Sequence, residues 1–158
     1  PRPGDLGWVV SRHGALYAEE FGWNMDFEVL VARVAADFFA TNDPSCERCW
    51  IAERTTSTGV ERVGSVFLVR HPERAGVAKL RMLLIDPSAR GLGLGKRLVD
   101  ECTTFARAAG YHTITLWTNS ILTTARAIYQ RAGYRLVQSA PEPNFGKDLV
   151  GETWELTL

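Results

Sequence analysis

The segment Arg90-Gly91-Leu92-Gly93-Leu94-Gly95-Lys96-Arg97 sets alternating glycines among three cations. It follows an aliphatic run, Leu80 to Ile85, and leads into helically spaced apolar positions beginning at Leu98. A helix's first turn presents unpaired N–H groups and the positive end of its dipole, and glycine lets an anion come close to the backbone. The pattern therefore predicts a phosphate cradle. A ligand-free loop is the weaker reading, because each glycine costs a helix start about 1 kcal/mol relative to alanine. A Walker A loop needs G-x-x-x-x-G-K-[ST], but Gly91 to Gly95 is one residue short and Arg97 stands where the hydroxyl should be. A dinucleotide fingerprint fails too, since Lys96 occupies the third glycine position.

No metal is expected. Cys46 and Cys49 form a C-x-x-C, yet a zinc site needs about four ligands, and neither a second pair nor a histidine cluster accompanies them. Cys102 falls on the apolar side of a predicted helix and reads as a small buried hydrophobe.

The elements that must hold the cradle follow from periodicity. Leu6 to Arg12 reads as a strand and Ala15 to Phe21 as a short helix ending at Gly22; Phe27, Leu30, Val31, Val34 and Phe38 then mark an amphipathic helix. Trp50 to Glu53, Val63 to Val69 and Leu80 to Ile85 read as strands, the first two joined by a turn at Thr55 to Gly59. Leu98, Cys102, Phe105, Ala106 and Ala109 define a helix capped at Gly110, Thr113 to Thr118 a strand, and Leu122 to Ala132 a second helix stopping at Gly133. Strands Arg135 to Val137 and Thr153 to Leu158 complete the pattern, with Ala140 to Lys147 expected as a proline-bearing loop. Hairpin first, then alternating helix and strand, this is an α/β fold with a mixed sheet.

The motif (R/Q)-x-x-G-x-(G/A), met by Arg90, Gly93 and Gly95 after Asp86-Pro87, resembles that of the GNAT superfamily of acyl-CoA N-acyltransferases, and the likeness runs from about Val63 to Val137. It implies one domain of GNAT-type fold, a central mixed, mostly antiparallel sheet flanked by about four helices, with acetyl-CoA as cosubstrate. By the resemblance, the cofactor's pantetheine lies between two splayed strands, here Leu80 to Ile85 and Thr113 to Thr118. The backbone of Leu83, Leu84 and Ile85 would bond it, and the amides of Gly91, Leu92, Gly93, Leu94, Gly95 and Lys96, beside Arg90, would hold the pyrophosphate. An N–H near Leu84 would stabilise the oxyanion. The family's N-x-x-A-x-x-x-Y is matched by Ala125 and Tyr129, which assigns Tyr129 as proton donor to the leaving thiolate, whereas the asparagine position is Leu122 and Asn119 lies three residues earlier.

No carboxylate stands between Leu80 and Ile85, so Glu19, Glu20, Glu61 or a water chain remain open as the base. Arg81 on the cofactor strand would pair with a carboxylate of the acceptor, with a surface ion pair as the alternative. Trp23 and Tyr17, with His13, are candidates to wall the acceptor pocket, although an isolated histidine is more often structural. The implied reaction is acetyl transfer to a primary amine of a small molecule such as an amino acid; the alternative is an acyl-CoA-sensing module with little turnover. The stretches Gly4 to Val10, His13-Gly14, Leu16 to Glu20 and Phe145 to Gly151 resemble the acyltransferase half of MarR-linked GNAT proteins, in which a winged-helix DNA-binding domain comes first. A start at Pro1 without methionine is compatible with the C-terminal part of a longer chain.

Composition bounds the partners. Lys plus Arg and Asp plus Glu both number 18, so no net field draws nucleic acid or an anionic membrane to this domain. No stretch approaches the roughly 20 apolar residues of a spanning helix and no signal peptide opens the chain, so a cytoplasmic location is expected. A homodimer is compatible with the sequence.

Overall fold

Trp8-Val9-Val10 has the residue types of a strand, but in the computed structural model, which describes Pro1 to Leu158, it lies within α1 (Asp5–Phe21). The burial of Asp5, Val9, His13 and Leu16 explains the correction: these side chains recur at helical spacing, and packing along that stripe outweighs the β preference of two valines. Gly22, at φ 69°, ends α1 by donating its N–H to Ala18. The Asn24 side chain then accepts from the Asp26 N–H to start α2 (Met25–Thr41).

After this helical pair come β1 (Arg48–Thr56), β2 (Gly59–Arg70) and β3 (Val77–Ile85), then α3 (Leu94–Ala108), β4 (Thr113–Asn119), α4 (Thr123–Arg131), β5 (Arg135–Asn144) and β6 (Lys147–Thr157). The sheet runs β1-β2-β3-β4-β6-β5, and β3 with β4 is its parallel pair; the other neighbours are antiparallel. Ala140 to Asn144, expected as loop, belongs to β5. Proline is tolerated there because β5 is an edge strand, and Pro141 and Pro143, two apart, can both turn their N–H-less sides away from β6. The β5–β6 hairpin turns at Phe145 and Gly146, both at positive φ.

The sheet separates two cores. Val66 and Leu68 of β2 face α3 and α4 with Val99, Cys102, Ile114 and Leu116, while the intervening Phe67 packs with Val9, Phe27, Val31 and Phe38 of the α1–α2 layer. Burial of side chains this large contributes about 1.5–3 kcal/mol each. No helix is long and apolar enough to cross a membrane.

Helix α1 is fastened to the sheet by charge. Its buried Asp5 accepts from Arg62 Nε of β2 at 2.6 Å and from the Arg2 backbone N–H at 2.6 Å. Burial alone would raise the Asp5 carboxyl, but the bonds to Arg62 and Arg2 outweigh it and hold the group below the usual carboxylate range. A depressed folded-state value means the stabilisation is present above the unfolded value of about 3.9 and is lost as pH falls through the folded one. Arg62→Met should lower stability by about 2 kcal/mol at neutral pH, by leaving a buried carboxylate unpaired. Urea denaturation checks this: the deficit should shrink as pH falls from about 4 through the depressed folded-state value of Asp5.

Candidate active site

Strands β3 and β4 pair only over Val77–Lys79 and Thr113–Thr115, and beyond Lys79 they part. The divergence coincides with an irregularity in β3. Ser65 of β2 lies opposite Leu84 whereas Phe67 lies opposite Arg81, so an extra residue is accommodated, and Met82 adopts φ 52°. The Ser65 hydroxyl donates to the Met82 carbonyl at 3.0 Å and so satisfies an acceptor within this bulge. In a regular strand alternate side chains would point to opposite faces. Here Lys79, Leu80, Arg81, Met82 and Leu83 all border one cavity.

That cavity, of about 140 Å³, is bounded by α1 and α2 on one side and by the opening between β3 and β4 on the other. Most of its lining is hydrophobic. Its outer wall is an aromatic cluster in which the Tyr17 ring lies 4.6 Å from Phe27 and 5.0 Å from Trp23. Phe145 at the β5–β6 turn backs this wall, 4.8 Å from Trp23, and its carbonyl accepts from the Asn24 N–H. The α1–α2 turn is thus held by the far end of the sheet.

Polar groups in this apolar space are few. Burial lowers the Lys79 ammonium, with the neighbouring Arg81 charge adding to the effect, and burial also lowers the Arg81 guanidinium. Neither cation has an ion-pair partner within the protein, and no Asp or Glu lines the cavity. The surface ion pair considered for Arg81 is therefore not formed. Burial pushes the Tyr17 hydroxyl up to about 12 and raises that of Tyr129 further, so both stay protonated donors at neutral pH. His13 and Trp23 carry buried ring nitrogens, Nε2 and Nε1, without hydrogen-bond partners.

The glycine-rich loop lies between a single 3-10 turn at Pro87–Ala89 and α3. No backbone acceptor meets the N–H groups of Gly91 to Lys96; the first amide to bond is that of Arg97, to Gly93. Gly93, the residue capping α3, has φ 75°, and Gly91 has φ 81°. A Cβ on either would meet nothing within 4 Å. The loop thus offers open amides without acidic competition in the helix's first turn. Gly95 differs: it is buried, and an added Cβ would come within 2.6 Å of Ile128, so its absent side chain serves α3–α4 packing. Of the cations expected here, Arg90 reaches back to Glu20 of α1 and Lys96 pairs with Asp100, leaving Arg97 without an ion pair.

The structure therefore gathers Arg81, Leu83, Trp23, Tyr17 and Tyr129 around one cavity, with Leu122 and Ala125 beside them. Leu84 and Ile85 continue β3 beyond it toward the open amides of the loop. Asn119 lies outside this lining; its side chain accepts from the Ile121 N–H in the turn before α4, and α4 has no side-chain cap. Glu19, Glu20 and Glu61 are all exposed and none borders the cavity. Sequence reasoning missed Ser65 and Met82, because a bulge is a matter of register between strands and leaves no mark in either strand alone.

The model of the Acetyltransferase (GNAT) family matches residues 15–134. Among curated proteins, a mycothiol acetyltransferase of Arthrobacter sp. (strain FB24) is 26% identical over 137 residues, 85% of this chain and 40% of that protein. Human N-acetyltransferase 8B is 28% identical over 114 residues, 72% of this chain and 50% of that protein. The chain thus spans half or less of the length of these relatives. Among solved structures, the Salmonella typhimurium protein yncA, determined with its cofactor acetyl-CoA, superposes with a TM-score of 0.77 at 18% identity, over 100% of this chain and 91% of that one. A family match across most of the chain, joined to this mixed sheet and four helices, makes the chain a member of the GNAT acetyltransferase family.

Proposed function

We propose that this chain transfers the acetyl group of acetyl-CoA to a primary amine of a small, carboxylate-bearing molecule such as an amino acid. The observation that carries the reading is the opening between β3 and β4, which has the unpaired amides of Gly91 to Lys96 at one end and a mostly apolar cavity holding Arg81 and Tyr129 at the other. The open amides at the start of α3 suit a pyrophosphate, and the unpaired backbone edge of β3 beyond Lys79 suits the amides of a pantetheine arm. Acetyl-CoA supplies the thioester; the chain's residues do the rest. Arg81 orients the acceptor by its carboxylate, with Lys79 adding charge, and the apolar walls keep out water that would compete as nucleophile. Backbone N–H groups near Leu84 stabilise the oxyanion as the amine adds, and the Tyr129 hydroxyl, desolvated and protonated, donates to the departing thiolate.

The resemblance to the acyltransferase half of MarR-linked proteins extends the proposal to a longer chain in which a winged-helix domain binds DNA. Thiol release from acetyl-CoA across amino acids and their decarboxylated counterparts tests the central reading. Acceptor-dependent release favouring the carboxylates supports it. Tight acetyl-CoA binding with no release on any amine instead supports the sensing alternative.

Arg81→Ala should raise KM for an amino-acid acceptor about tenfold or more while leaving the decarboxylated amine unaffected; an unchanged KM removes the carboxylate contact. Tyr129→Phe should reduce kcat about 100-fold with acetyl-CoA affinity retained, and a rate equal to wild type would remove the acid role. Gly93→Ala, which forces a side chain into a left-handed backbone position within the run of open amides, should weaken acetyl-CoA binding in a folded protein. Calorimetry showing undiminished affinity would refute the cradle.

A further inference from the structure

We propose that Nε2 of His13 accepts the proton lost by the acceptor amine as it attacks the thioester, an assignment that rests on the transferase reading above. The ring's tautomer follows from its neighbour. His13 Nδ1 lies 2.7 Å from the Val9 carbonyl oxygen, which can only accept, so Nδ1 carries the hydrogen and Nε2 keeps its lone pair. The residue is 2% exposed, Nε2 has no partner within the protein, and the ring borders the cavity that holds Arg81 and Tyr129.

Elimination leads to the same atom. Glu20 and Glu61 pair with Arg90 and Arg54, and Glu19 is exposed, so none of the carboxylates open on sequence grounds reaches the cavity. Of the lining side chains, Trp23 and Trp117 offer only N–H donors, and the Tyr17 and Tyr129 hydroxyls are protonated. Thr118 has no basic atom, and Lys79 is a cation beside Arg81. His13 alone presents a neutral nitrogen with a free lone pair.

The surroundings keep it neutral. Burial lowers the imidazole to about 4, against a smaller opposing effect of the bond to Val9. The titratable groups sharing the cavity are Tyr17 of α1, Lys79 and Arg81 of β3 and Tyr129 of α4; the lining residues of α2 are apolar and those of β4 do not titrate. The Glu28 carboxylate of α2 lies against Gly14, outside the lining. No acid in the cavity favours the imidazolium before the acceptor arrives, and the acceptor's own carboxylate would then supply one. Weak basicity suffices, since a nitrogen that has added to a carbonyl is far more acidic than a free alkylammonium.

The step balances. The amine nitrogen bonds to the acyl carbon, its N–H proton passes to Nε2, the C–S bond breaks, and the thiolate takes the Tyr129 proton. The imidazolium keeps its Nδ1–H on the Val9 carbonyl, and both side chains reset by exchange with solvent as products leave.

His13→Phe preserves a ring against Tyr17 and Phe27 while removing the lone pair. It should lower kcat about 100-fold with KM for acetyl-CoA and for the amino acid near wild type. His13→Gln, whose amide oxygen accepts a hydrogen bond but holds no proton, should fail equally. A folded His13→Phe with the wild-type kcat overturns the proposal. Nitrogen NMR of histidine-labelled wild-type protein with acetyl-CoA needs no variant. It should show His13 Nε2 unprotonated and not titrating from about pH 5.5 to 8, and a protonated Nε2 overturns the assignment even if His13→Phe fails to fold. Absence of thiol release by the wild type with every amine instead fails the transferase reading alone, a result distinct from either.

Discussion

The site depends on one break in β-sheet hydrogen bonding. Strand β3 pairs with β4 through Lys79 and then leaves it, with Met82 in a left-handed conformation and Ser65 bonding its carbonyl. A parallel pair that closed fully would have no room for a ligand at the sheet's centre. The parting leaves unpaired backbone on β3, and the bulge brings neighbouring β3 side chains to one cavity wall. Local strain at Met82 is sustained because both flanks of β3 are anchored, by β2 on one side and by the Val77–Lys79 ladder on the other.

The same break divides the polar groups beside it between two parts of the fold. On the loop side, polarity comes from backbone: amides without acceptors at the start of α3. On the α1–α2 side it comes from a few side chains, Arg81, Lys79, Tyr129 and His13, in walls that are mostly apolar. In so apolar a space each charge or lone pair is felt strongly. Helix α1 links the halves physically, since Arg12 bonds Asp86 and Glu20 bonds Arg90 on the loop while His13 and Tyr17 face the cavity.

Local chemistry was legible where it depended on neighbours in the chain. The run from Leu80 through Gly95 announced strand, glycine-rich loop and helix, because turn glycines and helical spacing act within a few residues. The hairpin at Thr56 to Gly59 and helices α2, α3 and α4 were readable for the same reason. The start of α1 and the length of β5 were not. A stripe of Asp5, Val9, His13 and Leu16 becomes meaningful only against the core it buries into, and Pro141 and Pro143 fit a strand only when it is known to be an edge.

By itself, then, the amino-acid sequence determined the mixed α/β architecture, the glycine loop with its open amides, and the presence of Arg81 and Tyr129 on the elements beside it. Tertiary structure alone decided that Gly95 serves packing, that Arg90 reaches Glu20, that the glutamates lie outside the cavity and that His13 borders it with Nε2 unpartnered. Periodicity and turn chemistry are local and written along the chain. Register between strands, the loss of an ion-pair partner and the tautomer of a buried ring arise from groups far apart in sequence, and they exist only once the chain has folded.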